Sequence, residues 1–147
     1  MKQFPGPVAD GLRIWATAAL IAAWSLPATS QRIQDLPPSA RGAQMPKLSP
    51  QAAAGRRAFD AHCAECHGRY GLGTDKGPPL LHAIYNPGHH ADESFRSAVK
   101  QGVRQHHWRF GDMPPQPQVG DEQLAQIVRY VRELQQANGI RFAPHRM

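Results

Sequence analysis

The sequence lacks an apolar run long enough to cross a membrane, and its positive charge is not gathered in one region. The longest apolar run, Ile14 to Leu26, has 13 residues, short of the roughly 20 that a spanning helix needs. The formal net charge is +6, yet residues 49–140 carry ten Lys or Arg residues against nine Asp or Glu residues. Nucleic-acid-binding domains gather cations on one face or helix, so we expect no nucleic-acid partner.

Strand patterns and internal repeats are also absent. No stretch alternates apolar and polar residues as a strand would. Three segments instead carry helix signals: Pro50 to about His62, Asp92 to about Gln101, and Asp121 to about Asn138. Asp92 is predicted to be the N-cap of the second helix. We therefore predict a small all-α domain over residues 49–140, with about three helices joined by long loops.

Three further segments flank this domain. Residues 1–30 have a weakly positive start, the apolar run, and small residues before a cleavage position after Ser30, which is the pattern of a secretory signal. An uncleaved N-terminal anchor is the alternative, and either form predicts export. Residues 31–48 contain three prolines and predict a flexible linker. Residues 141–147 form a basic tail.

The chain has only two cysteines, and both lie in "CAECH", residues 63–67. Cys-x-x-Cys-His is the attachment pattern of c-type haem, because one helical turn presents both thiols to the two vinyl groups of the macrocycle. His67, directly after Cys66, is then placed to ligate the iron. A thioredoxin-like redox pair would need a βαβ setting, and a zinc site would need a second ligand pair. The sequence offers neither, and a haem would also explain how so small a domain supports such long loops.

A sixth iron ligand is predicted at Met113, in "FGDMPPQP". Histidine with methionine is the axial pair of electron-transfer cytochromes c. The two prolines after Met113 limit the motion of the loop and hold a weak thioether ligand in place. A core methionine is the alternative, because thioethers also serve as packing.

These motifs together resemble a bacterial class I c-type cytochrome, mono-haem and exported, over residues 49–140. Gly55 and Phe59 match the family's small-plus-aromatic helix face, which packs on an aromatic of the last helix, here Tyr130. "GPPL" matches the loop in which the carbonyl of Pro78 accepts from His67 and Leu80 lies on the haem. The resemblance implies an all-α fold wrapped on one haem c, bound covalently through Cys63 and Cys66.

Five histidines and a tryptophan lie outside this resemblance. His89 and His90 lie in "NPGHHADESF", and His82 precedes this segment. His106, His107 and Trp108 lie in "QHHWRFGDM". One interpretation makes them solvated side chains and propionate donors, with the indole N–H of Trp108 among the latter. The others are a second metal site, since imidazole suits copper or zinc, and a histidine that replaces Met113 on the iron.

Two classes of function follow. The first is a periplasmic electron carrier, not an enzyme, that meets donor and acceptor redox proteins through a positive rim of Lys100, Arg104 and Arg109. The second is a peroxidase-like haem enzyme, which needs an open sixth position with acid and base groups above it. Met113 in a stiff loop favours the carrier. An uncleaved N-terminus would add weak membrane association.

Overall fold

The structure, a computed structural model, describes residues 42–144. The predicted signal segment, most of the predicted linker and the end of the basic tail lie outside these residues. Their assignments therefore stay predictions.

Four α-helices make up the fold: α1 Pro50–His62, α2 Ala64–His67, α3 Asp92–Gln101 and α4 Asp121–Ala137. Short 3-10 turns, Arg69–Gly71 and Ala83–Tyr85, interrupt the long connection between α2 and α3. Within residues 42–144 there is no strand, only an isolated antiparallel bridge between Val103 and Met113. The all-α prediction is confirmed, with α2 as a single turn beside the three longer helices.

The helix ends follow the local sequence, with one exception. The Ser49 hydroxyl accepts a hydrogen bond from the backbone N–H of Ala52 at 3.2 Å and caps α1. The prediction that Asp92 caps α3 is wrong, because the N-cap is Ala91 and Asp92 lies in the first turn. The Asp92 carboxylate accepts instead from Arg132 Nε at 2.7 Å. The Asp92 carboxylate therefore joins α3 to α4.

Close contact between α1 and α4 forms the core. Phe59 on α1 packs against Tyr130 on α4, with ring centroids 5.5 Å apart, and both side chains are almost fully buried. Gly55 lets the helix backbones approach, because a Cβ at this position would lie 1.8 Å from the carbonyl oxygen of Gln126. The packing predicted for Gly55, Phe59 and Tyr130 is therefore confirmed.

The segment just before α1 lies against α4. The Gln44 N–H donates to Asn138 Oδ1 at 2.7 Å, and Asn138 Nδ2 donates back to the Gln44 carbonyl at 2.9 Å. The Ser49 N–H donates to Glu133 Oε2 at 2.9 Å. The last residues of the predicted linker are thus tied to the domain, in which α4 is the central helix.

Replacing Gly55 with alanine tests the helix contact. The added methyl group would collide with backbone atoms, so we expect Gly55→Ala to lower the free energy of unfolding by about 1–3 kcal/mol, as overpacking does. Chemical denaturation followed by circular dichroism measures the loss. Gly42→Ala is the matched control, because a Cβ there has no atom within 4 Å. Equal stability of the two variants would contradict the close approach.

Candidate functional site

The two cysteines and His67 lie at the junction of α1 and α2. Cys63 is the C-cap of α1, and the single turn Ala64–His67 follows. The Cys63 carbonyl accepts from the His67 N–H at 2.9 Å, which closes this turn. Cys63 is half-buried and Cys66 is exposed, and neither is in a disulfide. Burial, with the neighbouring Cys66 thiol, raises the pKa of Cys63 to about 11. Both sulfurs are therefore available for bonding to an external group.

The orientation of His67 is fixed through one ring nitrogen. Nδ1 lies 3.0 Å from the carbonyl oxygen of Pro78, and since a carbonyl only accepts, Nδ1 carries the proton. Nε2 is left with its lone pair. Burial lowers the pKa of His67, and the bond to Pro78 opposes that shift only in part. At neutral pH His67 is thus a neutral imidazole that can ligate a metal through Nε2.

Hydrogen bonds hold the loop that carries Pro78 onto α2 and onto the 3-10 turn that follows it. The Thr74 hydroxyl donates to the Cys66 carbonyl at 2.6 Å, and the Leu80 N–H donates to the Gly71 carbonyl at 2.7 Å. Gly77 is buried against Cys66, and a Cβ there would lie 2.9 Å from the Cys66 carbonyl oxygen. The position of the Pro78 carbonyl is therefore set by contacts on both sides of it.

The backbone of the loop that carries Met113 is also held by hydrogen bonds. Val103 and Met113 exchange two backbone hydrogen bonds of 2.9 Å each. The Gln116 N–H donates to the Val99 carbonyl at 2.7 Å, which ties the loop to α3. At the end of α3, Gly102 has a φ of 79°, and a Cβ would lie 2.6 Å from the Met113 carbonyl oxygen. The loop therefore depends on glycine at this position.

A cavity of about 720 Å³ opens between these elements. Its volume lies within the range of roughly 300–1,000 Å³ that is usual for ligand sites. Six of the seven predicted site residues line it, namely Cys63, His67, Pro78, Leu80, Trp108 and Met113. Cys66, on the exposed side of the turn, is not among its lining residues. Apolar and aromatic side chains make most of the remaining wall: Phe59, Tyr85, Phe95, Val99, Val103, Phe110, Ile127 and Val131.

Four histidines gather at the same cavity, although they come from two separate loops. His89 and His90 precede α3, and His106 and His107 follow it. The rings of His89 and His107 have centroids 5.4 Å apart. Burial is the largest cause that lowers the pKa of both His90 and His107, and the neighbouring histidines add to it. We therefore expect these two rings to be neutral at neutral pH.

Trp108 stands beside these histidines. Its indole stacks on Tyr85 with a centroid distance of 5.9 Å, and the edge contact with His82 has a centroid distance of 5.2 Å. The sequence grouped His82 with the other four histidines and Trp108 but predicted no contact between them. In the structure the His82 ring also accepts from the Ile84 N–H at 3.2 Å, which caps a 3-10 turn.

Arg132 holds the loop before α3, and sequence reasoning missed it. Its guanidinium donates to the carbonyls of Tyr85 and His90 and to Gln135 Oε1. Gln135 in turn is buried and donates to the Leu80 carbonyl at 2.9 Å. On a helical wheel Arg132 looks like a solvated charge. Only the fold shows that the carbonyls of Tyr85 and His90, which are remote in sequence, lie beside the Arg132 guanidinium.

The family model described as Cytochrome c matches residues 52–135. No curated protein and no solved structure matched the chain. None of the helices in residues 42–144 is both long and apolar enough to cross a membrane. The matched region contains every predicted site residue and all of the four helices except the first two residues of α1 and the last two of α4.

Replacing Arg132 with methionine tests the role of Arg132. The change removes the donors to two backbone carbonyls, so we expect unfolding free energy to fall by about 2–3 kcal/mol. Hydrogen exchange at the Tyr85–His90 amides should also speed up. Arg129→Met is the matched control, because Arg129 is 56% exposed and, within residues 42–144, forms an ion pair with Glu133 alone. Such a pair contributes less than about 0.5 kcal/mol. Similar losses in the two variants would contradict the role of Arg132.

Proposed function

Because the chain belongs to the cytochrome c family, we propose that it is an exported, mono-haem electron carrier of the bacterial class I type, with His67 and Met113 as the axial ligands of its iron. Membership in the family carries haem-based electron transfer and haem c, bound covalently through two cysteines, which here are Cys63 and Cys66. One observation supports the proposed axial ligands most strongly. A histidine with its Nε2 lone pair available and a methionine on a fixed loop line the same cavity.

The residues around the cavity fit a haem. The pattern Cys-x-x-Cys-His lies on a single turn at the cavity edge. The walls are apolar, as a porphyrin face requires, and Leu80 is buried in them. Trp108 and His106 also line this cavity, and their ring nitrogens could receive the propionates. When bound, haem supplies a one-electron iron couple.

The protein side chains then orient the group and exclude water. His67 is held in one tautomer by the Pro78 carbonyl, which makes its Nε2 a better donor. Apolar walls around an iron centre lower the local dielectric and, together with the choice of axial ligand, set its reduction potential. Pro78, Leu80 and Trp108 are therefore proposed as residues that contact or position the haem.

A peroxidase-like enzyme is the second candidate, and the geometry of the Met113 loop argues against it. Such an enzyme needs an open sixth position. Here the Val103–Met113 bridge and the hydrogen bond from Gln116 to Val99 fix the backbone on both sides of the proposed ligand. Pro114 and Pro115 restrict it further. We propose that the sixth position is filled and that the protein is not an enzyme.

Periplasmic export is the remaining part of the proposal. The signal-like segment 1–30 supports it, and cleavage after Ser30 would leave Gln31 as the first residue. Haem c is attached outside the cytoplasm in bacteria, which agrees with export.

Met113→Ala tests the axial pair. The oxidised wild-type protein should show the weak near-infrared band of sulfur-to-iron charge transfer. The variant should lose this band and have a lower reduction potential, because methionine ligation raises it. Its ferrous form should also bind carbon monoxide readily, which the wild type should not.

Met45→Ala is the matched control, because Met45 is 39% exposed and does not line the cavity. The control should keep the band and the potential. A band that survives in Met113→Ala would contradict the proposed ligand and direct attention to His106 or His107. Ready binding of carbon monoxide by the wild type would favour the enzyme.

Redox partners are proposed to meet the protein at the rim near the Met113 loop. Arg104 and Arg109 are exposed there, and neither forms an ion pair within residues 42–144. Lys100, which we also expected in this rim, lies 2.6 Å from Asp121 Oδ1, so its charge is largely compensated. The rim proposal therefore depends on the two arginines. Exposed charges of this kind steer association.

Reversing both arginines tests the rim. The variant Arg104→Glu/Arg109→Glu should react more slowly with an acidic partner at low salt and keep its optical spectrum. The wild-type rate should fall as salt rises above about 0.1 M, where the screening length is roughly 10 Å. Stopped-flow oxidation measures both effects. Arg57→Glu is the control, since Arg57 is exposed on α1 and does not line the cavity. Equal slowing by the control, or no slowing by the double variant, would contradict the rim.

A further inference from the structure

Three histidines at the cavity edge have the arrangement of a metal site that is distinct from the proposed axial pair. We infer that His89, His90 and His107, the histidine triad, bind one late first-row divalent cation, with copper(II) preferred. The inference goes beyond electron transfer by the haem and does not depend on whether Met113 ligates the iron.

The spacing of the triad supports the site. One ligand atom from each of the three side chains lies within 4.8 Å of the other two. Nitrogens bound to a single copper or zinc ion at about 2.0–2.1 Å lie roughly 3–4 Å from one another. The three ligand atoms are thus already close to the spacing that one shared cation requires.

The hydrogen bonds leave ligand lone pairs where the site needs them. His90 Nδ1 lies 2.8 Å from the Ile84 carbonyl oxygen, so Nδ1 carries the proton and Nε2 keeps its lone pair. His107 Nε2 is buried and has no hydrogen-bond partner among the described residues. A buried nitrogen without a partner is rare in folded proteins and indicates a missing ligand or ion.

Hydrogen bonds hold the backbone of two members of the triad, His89 and His90, before any cation binds. The Asn86 carbonyl accepts from the N–H groups of His89 at 3.1 Å and His90 at 2.8 Å. The His90 carbonyl accepts from Arg132, which anchors this loop to α4. Little ordering is then required on binding, and a preformed site binds more tightly than a flexible one.

The choice of cation follows from the ligand chemistry. The triad offers only imidazole nitrogens, whereas Mg²⁺ and Ca²⁺ need oxygen ligands. Each of the acidic residues nearest in sequence has another partner: Asp92 accepts from Arg132, Asp112 accepts from the Gln105 N–H, and Glu93 lies 3.9 Å from Arg96 Nε. Imidazole suits copper, nickel and zinc, and among divalent ions copper(II) binds most tightly.

Binding would join two loops across the cavity. His89 and His90 belong to the loop before α3, and His107 belongs to the segment that leads to Met113. A cation held by both would tie the Met113 loop to the part of the fold that Arg132 anchors. A ligand that binds only the folded state raises the midpoint temperature at which the protein unfolds.

The test uses the full haem-loaded protein, stripped with a chelator and titrated with Cu²⁺ alone. Calorimetry should find one ion per chain, and electron paramagnetic resonance should show nitrogen hyperfine structure from histidine. Copper should raise the thermal midpoint. His107→Ala and, separately, His89→Ala should each weaken binding at least about tenfold, since loss of even an outer-shell partner costs that much. A parallel Zn²⁺ titration should compete for the same site with lower affinity.

His62→Gln is the matched control, since His62 ends α1 and lies outside the triad and the cavity lining. This variant should bind copper as the wild type does, and haem content and circular dichroism should match in all four proteins. No stoichiometric binding by the wild type would overturn the inference, as would equal losses in His62→Gln and His107→Ala. A shifted haem spectrum or potential in copper-free His107→Ala would place that ring on the haem and would also overturn it.

Discussion

The cavity of about 720 Å³ beside α1, α3 and α4 is the constraint on which the rest of the structure depends. Empty apolar space is costly, and the cost rises with volume. The side chains that pack α1 onto α4, such as Phe59, Tyr130 and Leu134, form only one side of the core. On the other side the loops contribute Leu80, Leu81, Tyr85 and Met113 to the same cluster, and the cavity lies between these loops and the helices. A haem bound through Cys63 and Cys66 supplies the missing surface and explains how long loops keep fixed positions.

Each loop around the cavity is tied at its backbone, while its side chains face the space within. The Pro78 loop is bonded to α2, the Met113 loop to α3, and the His89–His90 loop to Arg132 on α4. Because the helices anchor these loops independently, the ligand-bearing side chains are positioned by the fold as well as by the group they hold. This arrangement suits an electron carrier, which must change its charge with little movement.

Much of this could be predicted from short-range sequence features. "CAECH" indicated the haem, cap residues indicated the helices, and Gly55 with Phe59 indicated the contact with Tyr130. Asp92 was misassigned because capping propensity ignores a guanidinium 40 residues away in sequence. Arg132 and Gln135 were missed for the same reason, since their partners lie more than 40 residues away along the chain. The sequence indicated two histidine pairs, but only the fold brings His107 to His89 and His90.

We expect one haem, joined covalently to Cys63 and Cys66, to fill the cavity. The most direct test of this attachment is the intact mass of the exported protein after acid–acetone extraction. The mass is measured for the wild type and for the double variant Cys63→Ser/Cys66→Ser. The wild type should keep its colour in the protein fraction and have the mass of the polypeptide plus one haem, while the double variant should release any haem it holds. A wild-type mass equal to that of the bare polypeptide, with the haem in the acetone phase, would contradict the account.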